Sequence, residues 1–150
     1  MLSIRGGQVD DAQQRRRAVS QQLSAFSERP TMQSFRDLKV WAKAHGVALA
    51  IYTVTGPFPD TERSGLASQM RRAAVSVPAN IAEGCVRSTD ADFARFVHIA
   101  MGSASELEYL LLLARDLDYC PEAEYALLSA RVEEVKRMLA ALLTRLKADS

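Results

Sequence analysis

The chain has 150 residues and a mass of 16.5 kDa; 48% of the residues are hydrophobic and 25% charged. That size and balance fit one folded domain and exclude a wholly disordered, collagen-like or disulfide-stapled protein. With 19 Lys and Arg against 18 Asp and Glu, the net charge of +1 excludes a uniformly basic polyanion binder. Cys85 and Cys120 are too few for a disulfide framework, and no apolar signal-peptide core opens the sequence. The longest unbroken aliphatic run, Leu110 to Ala114, falls far short of the roughly 20 residues of a membrane span. A reducing cytoplasm with no membrane association is the expected setting.

Residues 1–31 differ in character from the remainder of the chain. Gly6-Gly7, the pairs Gln13-Gln14 and Gln21-Gln22 and the run Arg15-Arg16-Arg17 leave little apolar surface to offset ordering entropy. Val19, Leu23 and Phe26 space out one short helical stripe. The expectation is a poorly ordered leader over 1–31, with Met32 as an alternative start, and a folded domain over 32–150. The leader's five Arg against three carboxylates make it +2, and fourteen basic against fifteen acidic residues make the rest −1.

Beyond Met32 the periodicity marks four helical segments. The first spans about Ser34 to Thr55, capped by Ser34 or Thr31, with Leu38, Trp41, His45, Ala48 and Tyr52 on one face. Gly56-Pro57-Phe58-Pro59 ends it, since each proline lacks an N–H and restricts the residue before it. Asp60 or Thr61 caps a second helix to about Gly84, with a stripe of Leu66, Met70, Ala73, Ala74, Val77 and Ile81. Pro78 lies inside that helix and frees a carbonyl near Ala74, while Gly84 suits a left-handed cap. Thr89 with Asp92 three residues on resembles a capping box for a third helix to about Tyr119. Its seam is Phe93, Phe96, Ala100, Ala104, Leu107, Leu111 and Ala114. Pro121 suits the first turn of a fourth helix, where Tyr125, Leu128, Val132, Val135, Leu139, Leu142 and Leu146 alternate at three and four. No segment alternates with period two. The fold class is all-α: an antiparallel up-down-up-down four-helix bundle.

Helices three and four carry apolar residues beyond one stripe. Leu110, Leu112 and Leu113 on the third, and Leu127, Met138 and Leu143 on the fourth, lie off the main seams. A lone bundle buries one stripe per helix, so these residues are candidates for an oligomer interface. Broad core faces with a few exposed leucines are the alternative.

Several strings taken together carry a resemblance. They are Phe35-Arg36-Asp37-Leu38-Lys39-Val40-Trp41, Phe58-Pro59, Gln69-Met70-Arg71-Arg72-Ala73, Ser76-Val77-Pro78-Ala79-Asn80-Ile81-Ala82-Glu83-Gly84, and Gly102-Ser103 followed by Glu106-Leu107. In this order, over about residues 33–147, the chain resembles the bacterial four-helix-bundle proteins found as reading frames inside intervening sequences of 23S ribosomal RNA genes. The accessory variability determinant proteins of diversity-generating retroelements are distant relatives of that family. The resemblance implies a bundle assembled into a ring-like homopentamer, and no catalysis. For the retroelement relatives it implies binding of RNA and a reverse transcriptase through basic surface; this near-neutral body departs from them there.

Arg36, Lys39 and Lys43 recur at three and four on helix one and share a face. With Arg63, Arg71 and Arg72 of helix two they are the candidate nucleic-acid-binding residues, holding phosphates as non-specific charges. The competing reading is a solvated face with ion pairs inside the bundle. Ser76 and Asn80 read as partners for groups freed by Pro78, and Glu83 as an ion-pair partner of Arg71, Arg72 or Arg87. That structural role is preferred over an acid–base or metal pair of Glu83 with Glu106. Gly102-Ser103 reads as a site of close helix approach, in the same chain or across a subunit interface. His45 and His98 stand singly, without ligand spacing. No catalytic residue, metal or cofactor is expected. The expected function is a non-enzymatic oligomeric adaptor for RNA or a nucleic-acid-processing protein; the alternative is a structural protein–protein module with no nucleic-acid affinity.

Overall fold

The computed structural model describes residues 11–18 and 34–148, and the chain divides into two units, 1–32 and 33–150. In the first unit residues 11–18 are helical and exposed, with Arg15 paired to Asp11 one turn back at 2.9 Å. The stripe of Val19, Leu23 and Phe26 lies outside the described residues.

The second unit is built from α1 (Lys39–Thr55), α2 (Leu66–Cys85), α3 (Asp90–Asp116) and α4 (Glu122–Ala148). No strand occurs among the described residues. Contacts between neighbours fix the directions: the start of α2 meets the end of α1 through Arg71 and Thr55. Ser76 meets Ser103 across α2 and α3, and Lys136 meets Glu108 across α3 and α4. Each helix therefore runs antiparallel to the next, with α4 closing on α1 through Lys43 and Glu134.

Helix ends reflect local chemistry, with several departures from expectation. The first helix starts at Lys39 rather than Ser34. Phe35–Asp37 forms a 3-10 turn and Leu38 is extended, because both Phe35 and Leu38 turn onto the core. After Gly56-Pro57, Phe58 is buried and tilts against Tyr119 at 5.6 Å, plugging one end of the bundle. Asp60–Glu62 is a second 3-10 turn, so neither Asp60 nor Thr61 caps α2. The Glu62 carboxylate does so, accepting the Leu66 N–H at 2.9 Å. Thr89 caps α3 as expected, its hydroxyl accepting the Asp92 N–H at 3.1 Å. Three residues past Arg115, Asp118 takes the left-handed conformation (φ 61°) that ends α3. The Tyr119 N–H returns to Ala114 and the Asp118 N–H to Arg115, the double closure of a Schellman motif.

No described glycine has positive φ, so the left-handed cap expected at Gly84 is not formed. Gly84 lies inside α2, and an added Cβ would come within 2.5 Å of the Phe93 ring. Its role is to let α3 approach. Gly102 shows the reverse: a Cβ there would meet nothing within 4 Å, and its neighbour Ser103 makes the contact with α2.

The stripes expected on α2, α3 and α4 form the core, with only Phe96 and Tyr125 half-buried. The face expected for α1 is rotated. Val40, Ala44, Val47, Ala48, Ile51 and Val54 point inward, while His45 and Tyr52 are exposed. Because α1 is apolar nearly all round, periodicity alone did not select its inner face. Trp41 lies on the flank, tilted against Phe35 at 4.8 Å and stacked on His45 at 5.0 Å. A central layer takes Ala44 and Val47, Ala74 and Val77, Ala104 and Leu107, and Val132 and Val135, two residues from each helix. The void they enclose is about 10 Å³, about one water, so this layer offers no ligand chamber.

Candidate functional site

The six candidate cations do not form one groove. Arg71 is held inside the bundle: its Nε donates to the Thr55 hydroxyl at 2.9 Å, and its guanidinium lies 4.6 Å over the Tyr52 ring. It ties the end of α1 to the start of α2. Arg63 pairs with Asp60 at 3.2 Å, and Arg72 is exposed at the same end of the bundle. Lys43 turns away from α2 and bridges to Glu134 of α4 at 3.3 Å. Lys43 precedes Thr55 by twelve residues, about 18 Å of helix, so the α1 cations and Arg71-Arg72 occupy opposite ends.

The carboxylate pair is also separated. From the Ser76–Ser103 contact, Glu83 and Glu106 lie in opposite axial directions, about 15 Å apart. Glu83 pairs with Arg87, one of its expected partners. Arg87 and Arg95 lie over the Phe96 ring at 4.5 and 4.6 Å, and Asp92 binds Arg95 at 3.1 Å. This cluster locks the turn between α2 and α3. The Asn80 amide donates to the Ser76 carbonyl and hydroxyl at 2.8 and 3.0 Å, instead of to the Ala74 carbonyl that Pro78 frees. Among the described residues no three His, Cys, Asp or Glu gather as a metal site. Cys85 and Cys120 are buried free thiols. Burial, reinforced by Glu124 and Glu122, holds the Cys120 thiol above its ordinary pKa and so protonated.

The candidate interface residues separate by depth. Leu110, at 4% exposure, belongs to the chain's own core and leaves the set of spare apolar residues. It lies seven residues, about two turns, past Ser103 and so shares the α3 direction that meets α2. Leu113, Met138 and Leu143 are half-buried against that core, Leu112 is half-buried, and Leu127 is 57% exposed. Further exposed apolar residues lie on α1 and α2, where Leu49 (59%), Tyr52 (50%) and Val75 (42%) were not anticipated. Among the described residues α3 is the helix long and apolar enough to cross a membrane by length and composition. About a third of that apolar stretch is buried in the bundle, and Ile99 and Tyr109 are exposed.

Folding redistributes the charge. On one side of the central layer, residues 34–45, 78–103 and 136–148 hold nine Lys and Arg against four Asp and Glu. On the other, residues 48–73 and 108–131 hold five against seven. A body that is neutral in sum has a basic end and an acidic end. Arg36, Lys39 and Lys43 are at the basic end; Arg63, Arg71 and Arg72 are at the acidic one. The sequence reading missed Arg131 and Arg145 of α4. The available signal was their heptad spacing with Met138, which places all three on one helix face.

Comparison with known proteins gives a consistent family. The model of the family described as 23S rRNA-intervening sequence protein matches residues 36–141. No curated protein matches the chain. A solved structure from Bacteroides thetaiotaomicron, described as a protein with unknown function from the S23 ribosomal protein family, superposes with a TM-score of 0.65. It is 24% identical, over 70% of this chain and 95% of that one, and it supports the fold alone.

Proposed function

The chain belongs to the 23S rRNA-intervening sequence protein family, and on that premise we propose a non-enzymatic, cytoplasmic adaptor that binds RNA or a nucleic-acid-processing protein. The observation that carries this reading is the separation of charge along the bundle. One end presents nine basic against four acidic side chains, a field that attracts polyanions although the whole chain is nearly neutral. The core void admits about one water, and the acidic side chains weighed for catalysis are engaged in or separated by the bundle's own packing. Assembly into a ring-like homopentamer is part of the proposal. It is supported by the resemblance drawn from the sequence and by exposed Leu127, Leu49, Tyr52 and Val75. Those same residues favour the second reading, a protein–protein module with no affinity for nucleic acid.

The test is binding of the full chain to labelled RNA and DNA between 50 and 200 mM salt, with light scattering for the assembled mass. Affinity that falls steeply with salt is the expected result. No binding at about 50 mM salt rejects the nucleic-acid reading and leaves the protein–protein module. A monomer mass at micromolar concentration rejects the assembly.

A further inference from the structure

We propose that the seam between α1 and α4 is a track for the phosphodiester backbone of a nucleic acid, held by Lys39, Lys43, Arg131 and Arg145. The inference rests on the adaptor reading and assigns its nucleic-acid surface to one seam of the bundle.

The geometry derives from one observed contact. Lys43 bridges to Glu134, so the α1 face bearing Lys43 and the α4 face bearing Glu134 look at each other. Lys39 lies one turn before Lys43 on that face, whereas Arg36 lies outside the seam, over the Phe35 ring in a turn that packs on α1 and α2. On α4, Arg145 lies eleven residues beyond Glu134, about three whole turns, and so shares its direction; Arg131 lies three residues before. In antiparallel register Arg145 lies about 16 Å from the Lys43–Glu134 level, beyond the level of Lys39. The cations thus continue along the seam to the basic end.

Three features suit a phosphate chain. First, these residues are exposed, and among the described residues Lys39, Arg131 and Arg145 form no ion pair. The carboxylate on these two faces is Glu134, already shared with Lys43. Second, a Cβ on Gly46 would meet nothing within 4 Å. Gly46 lies three residues past Lys43, level with Arg131, and leaves backbone in open space there. Third, the charges spread in a line about 21 Å long between Arg131 and Arg145, with half-buried Met138 between them and no aromatic ring for base stacking. A regularly charged polymer matches such a line better than a peptide, which needs apolar pockets as anchors. Contact to the backbone alone makes the binding indifferent to base sequence.

Four phosphates neutralised on this seam would cost a single strand roughly 50-fold in affinity between 50 and 200 mM salt. The test uses the full chain with a labelled, mixed-sequence single-stranded RNA of about 30 nucleotides. The variant Lys39→Gln/Arg131→Gln/Arg145→Gln should bind at least about tenfold more weakly at 50 mM salt and show a flatter salt dependence. The control Arg63→Gln/Arg72→Gln, at the acidic end, should remain within about twofold of the parent. Glu134→Gln removes a carboxylate from the seam and should tighten binding, a gain that misfolding cannot imitate. Equal loss in both Gln sets, loss in the control alone, or dependence only on Arg15-Arg16-Arg17 overturns the seam while leaving the adaptor reading intact. No binding by the parent chain at 50 mM salt overturns the adaptor reading, and the seam with it.

Discussion

Two seams of the same bundle are built in opposite ways. Between α2 and α3 the helices are drawn together: Gly84 admits the Phe93 ring, Ser76 and Ser103 share a hydrogen bond at 2.8 Å, and Arg87 clamps Phe96 at the turn. Between α1 and α4 the polar tie among the described residues is one ion pair, Lys43–Glu134, with side chains 55% and 41% exposed. Gly46 there faces open space. A glycine thus has opposite meanings on the two seams. At Gly84 the missing side chain is filled by a neighbour's ring; at Gly46 it leaves a gap. The closed seam contributes stability through packing, and its charges at the turn are paired; the open one carries Lys39, Arg131 and Arg145, which form no ion pair among the described residues, beside the paired Lys43.

That contrast can be broken by substitution. Gly84→Val should produce the largest effect, a loss of about 3 kcal/mol, because its side chain would force the buried Phe93 ring aside. Thermal denaturation monitored by circular dichroism reads it directly, and an unchanged melting temperature would mean the seam has slack. Gly46→Ala should do the reverse, adding up to about 1 kcal/mol, since Ala is the better helix former and nothing crowds its methyl. A destabilised Gly46→Ala protein would show that the α1–α4 seam is as closed as the other. The smallest effect is expected at the ion pair. Lys43→Gln should cost less than about 0.5 kcal/mol at 150 mM salt, because an exposed pair is screened and its ordering cost offsets most of the attraction. A loss of several kcal/mol there would make Lys43–Glu134 a structural clasp.

Much of the fold was legible because its signals are local. Thr89 and Asp92 announce the start of α3 by themselves, since a capping hydroxyl reaches an N–H three residues on. The stripes of α2, α3 and α4 are legible for the same reason: polar residues interrupt them at helical intervals. In α1, Trp41, Leu49 and Tyr52 compete with Val40, Val47 and Ile51 for the inward direction, and only packing decides between them. Leu110 shows the same limit, since an apolar residue off the main seam reads as surplus until a neighbouring helix covers it. The candidate cations were found as residues and misplaced as a group. Arg36 and Arg72 carry no information about each other until α2 runs back along α1.

The sequence by itself determined the number of bundle helices, where the chain must break between them, and three of the four buried stripes. Those depend on hydrogen bonding and side-chain spacing within a few turns. The tertiary structure decided which side of α1 faces inward and that Gly84 serves a ring instead of a cap. It also decided that the basic residues of α1 join those of α4, about one hundred residues away in the chain, rather than those of α2. Charge and packing act through space, so their pattern exists only once the last helix has closed against the first.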